Sequence, residues 1–92
     1  MARGGKYIIY KEHSVDDDNE ITPIIFPKAI GHDVMVMMLK KTFKDLIVIS
    51  AGFVSIENNN LITYGDSFSL KIGSRPEDKT LINIHLMETI VI

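Results

Sequence analysis

Three histidines, one serine-rich segment and an arginine beside a proline are the residues of this chain that could do chemistry. His13, His32 and His85 could serve as bases or metal ligands, but the gaps between them match no ligand spacing. His32 falls where a helix should begin, and capping or packing is the commoner task there. His85 shares a helix with Glu88 at i+3, the spacing of a surface pair. Gly65-Asp66-Ser67-Phe68-Ser69 approaches the G-x-S-x-G nucleophile elbow, yet Ser69 stands where the closing glycine belongs and the residues that follow read as strand, not helix. Ser67 and Ser69 are more simply the wet face of an alternating strand. Asp16, Asp18 and Glu20 imitate a calcium loop, but Ile21 occupies the position that needs glycine and Pro27 the twelfth. A solvated loop between two strands fits better.

Arg75 stands at a helix start, where free amides favour anions. With Ser74 and Lys71 it could hold a phosphate or carboxylate. The plainer reading is an ion pair from Arg75 to Asp78 or Asp66 that fixes the helix start. A small enzyme or ligand site would need His32, Asp66 and Arg75 in one pocket. The candidate binding surface is therefore His32, Asp66, Lys71, Ser74 and Arg75. No catalytic, cofactor or metal set is assigned. Lys40, Lys41 and Lys44 could touch nucleic acid, but read first as the solvated end of a helix.

Composition narrows the classes. The chain has 92 residues, 10 basic and 12 acidic, no cysteine and no tryptophan. Without cysteine there is no disulfide, Cys-type zinc site or thiol nucleophile, and a reducing compartment is expected. A net charge of −2 is not that of a typical nucleic-acid binder. The apolar run behind Lys6 is shorter than the ~18 residues of a membrane span or the core of a signal peptide, so a cytoplasmic protein is expected. Fifteen isoleucines point to a substantial sheet.

The elements that must position these residues follow from pattern. Residues 6–12 and 20–26 read as strands paired as a hairpin. Pro23 places the second at an edge or a bulge. A helix should run from Gly31 or His32 to about Lys44, with Asp33 in its first turn. Its apolar residues, Met35, Met37 and Met38 among them, lie on more than one side, as in a helix that is deeply buried or meets a partner. Residues 46–57 form a long central strand, with a bulge or close approach at Gly52. Asn58-Asn59-Asn60 is a turn, residues 61–64 return as a strand, and residues 67–72 alternate with Phe68, Leu70 and Ile72 on the inner side. Ser74-Arg75-Pro76-Glu77 is a capping box, and Leu81, Ile84 and Met87 recur at helical spacing behind it. The terminus Ile90-Val91-Ile92 is apolar.

Several of these segments together resemble a family of small uncharacterised proteins of bacteriophages and prophages. They are Phe26-Pro27, His32, Ser50-Ala51-Gly52-Phe53, Tyr64-Gly65-Asp66-Ser67 and Ser74-Arg75-Pro76-Glu77-Asp78, in that order across residues 6–83. Asp66 departs from the family's glutamate. The resemblance implies a phage source and the host cytoplasm, and no activity.

The expectation is one α+β domain spanning residues 1–92, with residues 1–5 disordered. An antiparallel sheet of four to five strands carries two helices on one face, in the order β-β-α-β-β-β-α. The other face, or the apolar tail, would be buried in a homodimer. The function expected is that of a small non-enzymatic interaction protein with a protein partner. The alternatives are a nucleic-acid-associated protein and, after it, a small enzyme or anion-binding module. No cofactor and no membrane association are expected.

Overall fold

In the computed structural model, residues 3–12 and 21–90 are described, the side chains of residues 3 and 88–90 excepted. His13, the acidic run at 16–20 with its calcium-loop reading, the Glu88 side chain offered to His85, and the Val91-Ile92 terminus lie outside them.

The first two strands are β1 (Arg3–Lys11) and β2 (Ile21–Phe26), followed by the helix α1 (His32–Lys40). Then come β3 (Ile47–Glu57), β4 (Asn60–Tyr64), β5 (Asp66–Ser67) and β6 (Ile72–Gly73), and the helix α2 (Asp78–Ile90) closes the series. Four strands form an antiparallel sheet in the order β2-β1-β3-β4, and β5 and β6 form a second, two-stranded sheet. The α+β class holds. Arg3, Gly4 and Gly5 are paired with β3, so the disorder expected of residues 1–5 does not extend to them.

β1 and β2 pair as a hairpin, and Pro23, which has no N–H for a ladder, sits on the edge strand. β3 lies centrally. It carries one extra residue, Ile49, where the register against β1 steps from Ile9↔Ser50 to Tyr10↔Val48. Asn58 and Asn59 both take positive φ, as a two-residue hairpin turn into β4 requires.

The two helices do not share a face. In β1, Ile8 and Tyr10 belong to a core with Phe26, Met35, Val36, Leu46 and Ala51. Tyr7 and Ile9 belong to another, with Val54, Leu61 and Ile82. Successive strand residues point to opposite faces, so α1 covers one side of the sheet and α2 the other. No whole face is left for a dimer, as the one-face arrangement would have left it.

Three further expectations change. α1 stops at Lys40, because Phe43 and Leu46 turn back to pack on the Tyr10 side, with Thr42 and Phe43 both bonding the Leu39 carbonyl. Met35 and Val36 are buried, while Val34, Met37 and Met38 are exposed. On α2 the buried positions are Asp78 and Ile82, with Leu81 and Leu86 half-buried, and Ile84 and Met87 face water. Residues 67–72 are not one strand. Residues 68–71 form a turn, Ser67 is buried, and Phe68 is 96% exposed.

Candidate functional site

The five candidate residues fall into three groups. The first is built on Asp78, at the start of α2, whose side chain is completely buried. Its Oδ2 accepts from the Tyr7 hydroxyl at 2.6 Å and the Arg75 amide at 2.8 Å. Its Oδ1 accepts from the Ser50 hydroxyl at 2.9 Å and Arg75 Nε at 3.0 Å. A carboxylate has about four acceptor positions, and here protein donors meet all four. Arg75 is thus the partner of Asp78, as the plainer reading expects. The reach-back to a backbone amide that the capping box assigns to Glu77 is made by Asp78 to Arg75, one residue later. Ser74 joins this group through a hydrogen bond with Tyr7.

Burial raises the Tyr7 phenol well above its ordinary range, and the hydrogen bond to Asp78 and its negative charge add to the rise; Ser74 and Arg75 oppose it. The phenol therefore keeps its proton, and goes on donating to Asp78, beyond the pH at which an exposed tyrosine loses it. Neither Tyr7 nor Ser50 is identified by local spacing, since they lie 71 and 28 residues from Asp78. The available signal is that β1 is apolar on both faces, which places Tyr7 inside and obliges its hydroxyl to find a partner.

His32 forms the second group. It is 4% exposed, and its ring meets Phe26 and Phe53 edge-on, at 5.5 and 5.8 Å between centroids. Nε2 lies 2.9 Å from the Gly52 carbonyl oxygen. A carbonyl only accepts, so Nε2 carries the proton. Gly52 is one residue past the last β3–β4 pair. A Cβ there would sit 2.7 Å from the Tyr64 carbonyl and 3.1 Å from Ser74 Cβ. Gly52 is therefore a close approach, and the bulge lies at Ile49. His32 roofs a row that crosses the sheet, Phe26–Lys6–Phe53–Tyr64. Phe53 and Tyr64 stack at 5.6 Å, and Tyr64 is partly open to water.

Asp66 and Lys71 form the third group, at the β5–β6 turn. With Ser67, Phe68, Ile72 and Gly73 they line a hollow of about 360 Å³. The Leu70 amide donates to the Ser67 hydroxyl at 3.2 Å, and Lys71 takes φ 57°, which closes the turn. Ser67 therefore holds a turn and is not the wet face of a strand.

His32 lies on the α1 side of the sheet and Arg75 on the α2 side, so His32, Asp66 and Arg75 form no common pocket. A larger hollow of about 420 Å³ is lined by Gly5, Ile25, Val54, Ile56, Leu61 and Leu86, with Gly4, Phe26, Pro27 and Ser55. It holds none of the five candidates. Among the described residues no three His, Asp or Glu side chains stand as a metal site, and no helix is long and apolar enough to cross a membrane.

No family model, curated protein or solved structure matches this chain.

Proposed function

We propose that this chain is a small non-enzymatic interaction protein that inserts Phe68 into an apolar pocket on a protein partner. The exposure of Phe68 carries the reading. An aromatic ring is the side chain most often found at the energetic centre of an interface. Phe68 rides on a turn whose flanks are anchored, Ser67 by its hydrogen bond and Leu70 and Ile72 by packing on the α1 core. A ring held this way loses little freedom on binding. Asp66 and Lys71 flank it and can set orientation. A phage-encoded accessory factor acting on a host or phage protein is the setting that the motif order suggests, and the lack of cysteine supports the cytoplasm.

The test is to use the wild type and Phe68→Ala as baits in nuclease-treated lysate of the source or host cell. A stoichiometric protein held by the wild type and lost with Phe68→Ala, at an unchanged melting temperature, is the expected result. Identical captures by both would overturn the reading.

A second reading, single-stranded nucleic acid, is favoured by the Phe53–Tyr64 stack in line with Lys6. Residues 16, 17, 18 and 20 carry four of the twelve acidic side chains, so the remaining eight face ten Lys and Arg. On this reading Tyr64→Ala would lower affinity for an oligonucleotide, and binding would fall steeply with salt. No change in fluorescence anisotropy at low salt would exclude it.

A further inference from the structure

The sheet has two edges, and they are built differently. β2 carries Pro23, a standard block to further pairing. β4 reads Asn60-Leu61-Ile62-Thr63-Tyr64 and has no proline, no charge and no bulge. Among the described residues it pairs with β3 alone. A two-residue hairpin turn closes on a pair that exchanges both main-chain bonds, here Glu57↔Asn60. The alternation that follows turns the N–H and C=O groups of Asn60, Ile62 and Tyr64 toward β3, and those of Leu61 and Thr63 outward.

We propose that this outward edge pairs with the same edge of a second copy of the chain, antiparallel about Ile62. Two four-stranded sheets then become one of eight strands. In that register Leu61 and Thr63 of each copy exchange main-chain bonds with Thr63 and Leu61 of the other. Ile62 faces Ile62 as a close, non-hydrogen-bonded pair, and Asn60 faces Tyr64. No like charges meet anywhere along the strand, so it is complementary to itself. A strand edge alone buries less than the ~800 Å² per partner of a stable interface. The neighbourhood supplies more apolar surface. Ile62 and Tyr64 are exposed on one face, and on the other α2, which packs beside β4, leaves Ile84 and Met87 in water. The proposal is independent of Phe68, which lies outside β4.

Sedimentation velocity from micromolar to submillimolar concentration tests it. The wild type and Phe68→Ala are expected to sediment as dimers. Ile62→Lys places two like charges on the two-fold axis and should weaken the dimer on the order of 100-fold, while Met37→Lys should not. The chain has no cysteine, so Ile62→Cys supplies a single thiol, and directly opposed strand residues lie within the Cα separation that a disulfide spans. Mild oxidation should give a covalent dimer of Ile62→Cys with native circular dichroism. A wild type that stays monomeric throughout, a folded Ile62→Lys that still dimerises, or a dimer in which Ile62→Cys does not cross-link would each overturn the proposal.

Discussion

Asp78 is the one described carboxylate whose acceptor positions are all met inside the protein, and the consequences can be measured residue by residue. Removing it strands the Tyr7 and Ser50 hydroxyls in an apolar layer. Asp78→Ala should cost about 3 kcal/mol in urea unfolding. Tyr7→Phe loses one hydrogen bond to a charged acceptor and should cost about 2 kcal/mol. Tyr7 also sets a pH dependence. Its folded pKa lies above the ordinary value of 10.0, so the unfolded chain loses the phenolic proton first. The contribution to stability is complete below pH 10 and drains away as pH rises beyond it. Tyr10, also raised by burial and by Glu12, acts in the same direction. Unfolding midpoints against pH should fall on the alkaline side, less in Tyr7→Phe than in the wild type.

At the scale of elements, Gly65 ends β4. Its φ of +75° lies in the left-handed region, and a Cβ would stand 2.9 Å from the Phe53 ring. Gly65→Ala should destabilise by about 1–2 kcal/mol, read from the denaturation midpoint. The pattern was legible where local chemistry dictated it: Pro23 marked an edge or a bulge, the asparagines the β3–β4 turn, and the charges near the helix start narrowed the partner of Arg75 to Asp78 or Asp66, of which the structure pairs Asp78. The segment 67–72 misleads because its alternation of Ser and apolar residues is real, yet the Ser67 hydroxyl bonds the Leu70 amide and folds the segment into a turn. Side chains competing for backbone groups win most readily in short segments. The placement of the helices was less legible. Four consecutive apolar residues, Tyr7 to Tyr10, require cover on both faces, but a run that short does not say which helix lies where. Tyr7 and Ser50 as partners of Asp78 were invisible, because only tertiary packing brings them together.

For the whole molecule, a sheet between two helices divides the interior into two apolar layers. The exposed groups then sort by direction: Phe68 on its turn, Ile62 and Tyr64 along one edge, Val34 and Met37 on the outer side of α1. Phe68→Ala removes no internal contact of consequence and should shift stability by no more than about 0.5 kcal/mol, checked by thermal melting.

β1, like its neighbour β3, is paired on both sides and lends alternate side chains to both layers, and it alone joins the β2 edge to the rest of the sheet. Neither layer can close until β1 is paired with β3, so this strand pair is expected to form the folding nucleus. Stopped-flow refolding should show this as an asymmetry. Ile8→Val and Ile9→Val would slow folding, whereas Val36→Ala in α1 and Ile82→Val in α2 would mainly hasten unfolding. Each helix would then dock late, on a hairpin already joined to β3.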